Sequence, residues 1–298
     1  TIVDFSALPD VAPQIKGQRT NPFRPTIPLD LYRSLKSQPP VSNENITTPD
    51  FHINPRNATL VKGFDGLDQN QSADGGFIWS PSDCNGAVSP SYYVEITNAA
   101  IGVYSRGGTN KSIKPLSAFF GYTTKALFDP QVKYDPLWGR WIVSATAFPE
   151  DADHMWLFVS VSTTSNPLGT YYTYPVNVAF HSNDFFDYQK IGLTQDAVLF
   201  SANIFNGNNF NGATLAVVPK AYLYNGLPIA YPRWDNLRAT LTLPLVQDSN
   251  PKAYLIFDQP GSKNVGVYTL TNAAFPAYAT LSAPVNVSIG VTQNYPPA

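Results

Sequence analysis

Four apolar strands recur along the chain at nearly even intervals: YYVEIT from Tyr92, WIVSAT from Trp141, AVLFSA from Ala197 and AYLIFD from Ala253. Their starts lie 49, 56 and 56 residues apart. Each is followed 9 to 17 residues on by a second strand: IGVYS (Ile101), WLFVSVS (Trp156), TLAVV (Thr214) and VGVYTL (Val265). Further short segments, TYYTYPV from Thr170 and ATLTLPL from Ala239, fall between the pairs. β-Branched and aromatic runs bounded by Gly, Pro, Asn and Asp read as strands. Units of about fifty residues, each with three or four antiparallel strands, are the signature of propeller blades. A β-sandwich explains the strand content but not the recurrence. The expected fold class is therefore all-β, a β-propeller of at least four antiparallel blades with helix close to absent.

The first sixty residues have a different texture. From Pro9 they run PDVAPQIKGQRTNPFRPTIPLDLYRSLKSQPP, without helical or strand period. Proline fixes φ and donates no backbone hydrogen bond, so the stretch reads as an extended arm. Within it, LDLYRSLKS (29–37) has the pattern of a short helix. The expected organisation is an extended Pro-rich arm over 1–62, its apolar residues wrapping the body, and blades over 63–298.

Charged residues make up only 13% of the 298, against 43% hydrophobic, with a net charge of −2 and a pI near 5.9. Such a surface gives no electrostatic footprint for nucleic acid or anionic membrane. No apolar run approaches the ~20 residues of a membrane helix. The single cysteine, Cys84, excludes an intrachain disulfide and reads as a small buried or half-buried side chain. No local signature ties it to His52, His154 or His181. Five N-x-S/T sequons, at Asn45, Asn57, Asn70, Asn110 and Asn286, are candidate glycosylation sites. Together with sparse lysine and abundant Ser, Thr, Asn and Tyr, they point to an extracellular or cell-surface glycoprotein.

An acid precedes the short segment that opens three of the units. Asp83 precedes NGAVSP, Asp129 precedes PQVKYD and Asp187 precedes YQKIGL. The fourth unit has no clean equivalent, Asp248 being the nearest acid. Innermost strands of a propeller run the same way, so Asp83, Asp129 and Asp187 are expected to converge at one mouth of the channel. Gathered carboxylates repel, and one or more pKa values rise unless a cation joins them. Lys190 and Arg140 are candidate neutralising groups, and Ca²⁺ is the expected metal for oxygen-only ligands, the three aspartates being its candidate ligands. The competing reading is that each Asp caps its own turn. Trp138 and Trp234 lie in polar turns and, with Arg140 and Lys190, form the candidate ligand-binding set. The other tryptophans read as core, Glu95 as solvent-facing, and IFNGNNFNGA (204–213) as a hairpin tip exposing Phe210.

From Phe64 to about Pro297 the sequence resembles a group of secreted, largely uncharacterised β-propeller proteins of bacterial type. The matching elements are FDGL (64–67), SDCNGAVSPSYYVEITN (82–98), DPQVKYDPLWGRWIVS (129–144) and DYQKIGLTQDAVLFSANIF (187–205). The chain departs from the group's pattern at Ser89, where a glycine is usual, at Gln189, where a proline is usual, and at Cys84. The resemblance implies an extracellular setting and an incomplete propeller, finished by a second chain, a further copy or the arm. A small self-closing propeller is the alternative.

Two functions follow. The first is a secreted binding or structural module engaging glycan or protein surfaces through the propeller top or blade edges. The alternative is a glycan-active enzyme of glycoside hydrolase type using Asp83, Asp129 and Asp187.

Overall fold

The computed structural model describes residues 1–11, 19–20, 62–68, 70–74, 77–79, 81–207, 209–246, 248–259 and 261–292. Asn45, Asn57 and the 29–37 segment lie outside the described residues, as does most of the arm. The four expected units are four consecutive antiparallel sheets. The first blade comprises Asn85–Val88, Tyr92–Ile96, Ala100–Ser105 and Asn110–Pro115, in sequence order across the sheet. The second comprises Leu127–Asp135, Arg140–Ala147, Trp156–Ser162 and Thr170–Asn177; the third, Asp184–Leu193, Ala197–Asn206, Asn209–Pro219 and Arg233–Leu237. In the fourth, Lys252–Phe257 pairs with Asn264–Thr271, which also carries Thr280–Leu281 and Val285–Ser288. Thr242 bridges to Ile256, which makes the stretch around Thr242 the innermost segment of that blade. The recurring strands thus become the second and third strands of every blade. Among the described residues, helix is confined to Leu116–Phe120, Lys220–Leu223 and a 3₁₀ turn at Phe5–Ala7. None of these is long and apolar enough to cross a membrane.

Alternation along the strands decides how the blades stack. Successive side chains point to opposite faces, and both faces of the inner blades are apolar. The core is accordingly three layers, one between each pair of neighbours. Val94, Ile96 and Ile101 of the first blade meet Val132, Trp141 and Val143 of the second. Ile142, Leu157 and Val159 meet Ile191, Val198 and Phe200 of the third. Leu199, Leu215 and Val217 meet Leu241, Leu255 and Phe257 of the fourth. Full burial of each such side chain contributes about 1.5–3 kcal/mol. The third and fourth blades approach so closely that a Cβ on Gly192 would lie 2.5 Å from Leu243 Cβ. A parallel bridge there, Leu193 to Leu245, shows that the two innermost strands run the same way.

The outward faces of the end blades differ. On the first blade, Tyr93 and Glu95 point away from the second and are covered by the FDGL segment. Phe64 packs on Tyr93 and Tyr104, with ring centroids 5.8 and 5.6 Å away, and Glu95 Oε2 accepts from Leu67 N–H at 2.8 Å. Glu95 is therefore not the solvent-facing residue expected from alternation; it holds a crossing segment. On the fourth blade, Tyr254 and Ile256 alternate with buried Ala253, Leu255 and Phe257 and remain 45% and 41% exposed. The start of the arm also packs on the body. Ile2–Asp4 adds a fifth strand to the second blade by pairing with Thr170–Tyr172, and Phe5 is fully buried against Phe119 and Tyr171.

A buried charge cluster ties the second blade to the third at the end of the strands remote from Asp129. Lys220 Nζ stands 2.6 Å from Asp135 Oδ2, and the Tyr224 hydroxyl donates to the same oxygen at 2.7 Å. Both charged side chains are at most 2% exposed. Asp135→Asn would strand the ammonium, and breaking a buried pair from one side costs about 3–5 kcal/mol. Urea denaturation should show that loss for Asp135→Asn, and most of it should return in the Asp135→Asn/Lys220→Met double variant.

Candidate functional site

The three aspartates do converge. Asp83, Asp129 and Asp187 line one cavity of about 1150 Å³ at the openings of the first three innermost strands. Asp151 and Asp184 join them, and the walls include Phe128, Phe148, Phe185 and Phe205.

What places them is a repeated backbone device. Just before or within the first half of each innermost strand stands a non-glycine residue in the left-handed region: Asp83 (φ 44), Asp129 (φ 48), Tyr188 (φ 55) and Thr240 (φ 56). In the second and third blades this residue sits in a bulge, where the register with the neighbouring strand slips between Ser144 and Thr146 and between Asp187 and Lys190. The left-handed conformation costs an ordinary side chain about 1–2 kcal/mol, with Asp and Asn the best tolerated. Alignment by bulge shows that Asp129 corresponds to Tyr188, so the third-blade acid stands one residue early. It also supplies the fourth-blade equivalent that sequence spacing did not: Thr240, not Asp248.

Cross-blade hydrogen bonds hold these openings. Asn98 Nδ2 donates to Asp83 Oδ2 at 2.6 Å, while Asn98 Oδ1 accepts from Asp129 N–H at 2.9 Å. Asp129 Oδ2 accepts from Tyr188 N–H at 2.9 Å, and Gln189 Nε2 donates to the Asp129 carbonyl at 2.6 Å. Asn203 Oδ1 accepts from Thr240 N–H at 2.9 Å, and its Nδ2 donates to Thr240 Oγ1 at 3.2 Å. Asn98 and Asn203 were missed in the sequence. The signal was there, since each stands six residues after the start of its recurring strand, closing YYVEITN and AVLFSAN. The turn-capping alternative is thereby modified: the Asp129 carboxylate caps a strand opening, but that of the next blade.

Asp129 is electrostatically unusual. Burial, then the Asp187 and Asp83 charges, push its carboxyl up to about 7, against the lowering effect of the Tyr188 N–H. A hydrogen bond between the Asp83 and Asp129 carboxyls acts in the same direction. Asp129 is thereby raised toward neutrality beside two other acids. Among the described residues no group of three or more His, Cys, Asp or Glu side chains is gathered as a metal site.

The remaining candidates do not assemble around the trio. Trp138 and Arg140 lie at the far end of the second blade's innermost strand. The Trp138 indole donates to the Gln195 carbonyl at 3.3 Å, and Arg140 Nη1 donates to the carbonyls of Trp138 and Gly139, each at 3.1 Å. Arg140 is thus not available to neutralise the acids. Trp234, on the outermost strand of the third blade, packs on the core shared with the fourth. Lys190 is near the mouth, its ammonium 4.7 Å from the Tyr188 ring centroid. Burial holds it below the usual lysine range, with Asp258 opposing. Cys84, expected to be buried or half-buried, is exposed and donates to Ser82 Oγ at 3.3 Å. The sequon residues Asn70, Asn110 and Asn286 are exposed.

No family model and no curated protein matches the chain. Several solved structures align with part of the chain at low similarity. An exo-β-1,3-galactanase from Phanerochaete chrysosporium is 12% identical, with a TM-score of 0.41 over 72% of this chain and 52% of that one. A xylan β-1,4-xylosidase from Bacillus halodurans is 13% identical, with a TM-score of 0.38 over 68% and 43%. An α-L-arabinofuranosidase from Lactobacillus brevis is 11% identical, with a TM-score of 0.38 over 72% and 73%. The chain spans about half the length of the first two. The protein is an all-β propeller of antiparallel blades.

The raised Asp129 pKa fixes the sign of a pH effect. A carboxyl that binds its proton more tightly when folded stabilises the fold below the unfolded value, near 3.8, and loses that contribution as pH rises through about 7. Asp129→Asn keeps an uncharged acceptor for Tyr188 N–H. Thermal melts between pH 4 and 8 should show wild type losing stability relative to Asp129→Asn as pH rises; parallel curves would place no such proton there.

Proposed function

We infer that the propeller mouth is a glycan-active site in which carboxyl groups carry out acid–base chemistry at a glycosidic bond. What carries this is the placing of Asp83, Asp129 and Asp187 in one cavity open to a ligand, where burial and then the neighbouring acids push the Asp129 carboxyl up to about 7. Glycoside hydrolysis needs such a pair, one carboxylic acid with a raised pKa and one carboxylate serving as base or nucleophile. In this reading Asp129 protonates the leaving oxygen, Asp187 is the partner carboxylate, and Asp83 tunes Asp129 through their hydrogen bond. The Phe128, Phe148, Phe185 and Phe205 rings give the apolar wall on which a sugar's C–H face packs. Five aspartates and no lysine or arginine among the described lining residues favour neutral or amino sugars over uronates and sulfated chains, which like-charge repulsion would exclude.

A binding role is the second reading. It is favoured by the use of Asp83 and Asp129 in cross-blade hydrogen bonds, which a purely structural pair would also make. Incubation with a panel of neutral, amino and acidic polysaccharides separates the two, with chelator as a control for metal. Sugar release that falls at least 100-fold in folded Asp129→Asn and Asp187→Asn, in line with the contribution of about 10²–10⁴ from a positioned acid or base, supports the enzyme. Retention without release, unchanged in both variants, supports the binder.

The extracellular setting belongs to the same proposal, with Asn70, Asn110 and Asn286 as surface attachment points for glycan. So does completion of the propeller, the exposed Tyr254 and Ile256 face seating a further blade from a second chain or copy. Native mass spectrometry of the purified particle should then show mass above 32.6 kDa, divided between sugar and partner chain.

A further inference from the structure

A second cleft lies beside the acid cavity, between the third and fourth blades. Its volume is about 650 Å³, and its lining includes Phe210, Asn236, Arg238, Asp258 and Gln259. Two contacts show that it adjoins the acid cavity. Phe205, in the wall of the acid cavity, is the cross-strand partner of Phe210, and their rings lie 5.5 Å apart. Asn203, also in that wall, bonds Thr240, the residue after Ala239 of the second cleft. One aromatic pair and one amide thus separate the two spaces.

The chemistry of the two spaces differs. The acid cavity offers carboxyls and no described cation. The cleft offers an exposed aromatic ring, Phe210 at 46% exposure, and the exposed guanidinium of Arg238. Both residues are anchored through the backbone. Phe210 lies just past the turn of its hairpin, and two residues on, at Gly212, a Cβ would lie 2.9 Å from Asn236 Cα and from the Leu237 carbonyl, so only glycine lets this strand seat against Asn236–Leu237. Arg238 is held by its backbone N–H, which donates to the Tyr268 hydroxyl at 3.3 Å. A ring presenting its face beside amide and guanidinium donors is a platform for a sugar, which stacks its C–H face and has its hydroxyls hydrogen-bonded.

We propose that the seam between the third and fourth blades is a chain-binding subsite, where Phe210 stacks a sugar unit and Arg238 hydrogen-bonds it, so that an extended oligosaccharide runs from this cleft past Phe205 into the acid cavity. The proposal rests on the acid cavity being a glycan site and adds what that reading does not contain: selection for a chain rather than for a single sugar or a short branch.

The test is calorimetric binding of cello-, xylo- and β-1,3-galacto-oligosaccharides of graded length to wild type, Phe210→Ala and Arg238→Ala, each checked for native circular dichroism. Phe210 is exposed at a hairpin tip and Arg238 is exposed, so neither substitution empties the core. The expected result is that wild-type affinity for one of these series grows with chain length, that both variants lose at least tenfold for the longer members, and that the disaccharide of that series is unaffected. If the length dependence survives in both variants, or the disaccharide loses as much as the longer chains, the subsite is overturned while the acid-cavity reading stands. If wild type binds none of the series at any length, both fall together.

Discussion

One recurring interaction organises this molecule: a side chain of one blade bonds the backbone that opens the next. Asn98 takes the Asp129 N–H, the Asp129 carboxyl takes the Tyr188 N–H, and Asn203 takes the Thr240 N–H. The N–H groups taken belong to residues in the left-handed region. Each bond offsets local backbone strain and fixes the point where an innermost strand begins. The apolar layers between blades supply most of the stability, but they are tolerant of sliding. The polar stitches set the register, and the register brings Asp83, Asp129 and Asp187 into one cavity.

The stitching has a chemical consequence for Asp129. One of its oxygens is committed to a backbone N–H, which favours the charged form, while burial and two neighbouring acids favour the neutral one. The second influence is the larger. A structural carboxylate has thereby become a group that exchanges a proton near neutrality, and the stitch and the proposed chemistry use the same side chain. Substitutions there report on both, which is why the Asn variant, which preserves the acceptor, is the informative one.

The four repeated units, the strand pairs and the clustering of three acids were all legible in the sequence, because strand alternation and a repeat period survive without tertiary information. The stitching amides were visible only in retrospect. Asn98 and Asn203 repeat at one position, but the second blade has Ala147 there, so the pattern is broken where it would have been noticed. Thr240 was hidden because nothing about a threonine announces a left-handed backbone. Glu95 was misread because alternation tells which face a residue is on, not whether a distant segment such as FDGL crosses that face. Trp138, Arg140 and Trp234 were grouped by residue type and turn context, and a propeller puts the two kinds of turn at opposite ends of its strands.

The strand Ile2–Asp4 carries an implication for biogenesis. Its partner, Thr170–Tyr172, is synthesised some 170 residues later. These residues therefore wait, with Phe5 unsheltered, until the second blade exists to receive them. Docking of this segment is a late event that seals a sheet margin against pairing with other nascent chains, and the order of translation makes it the closing step for that blade.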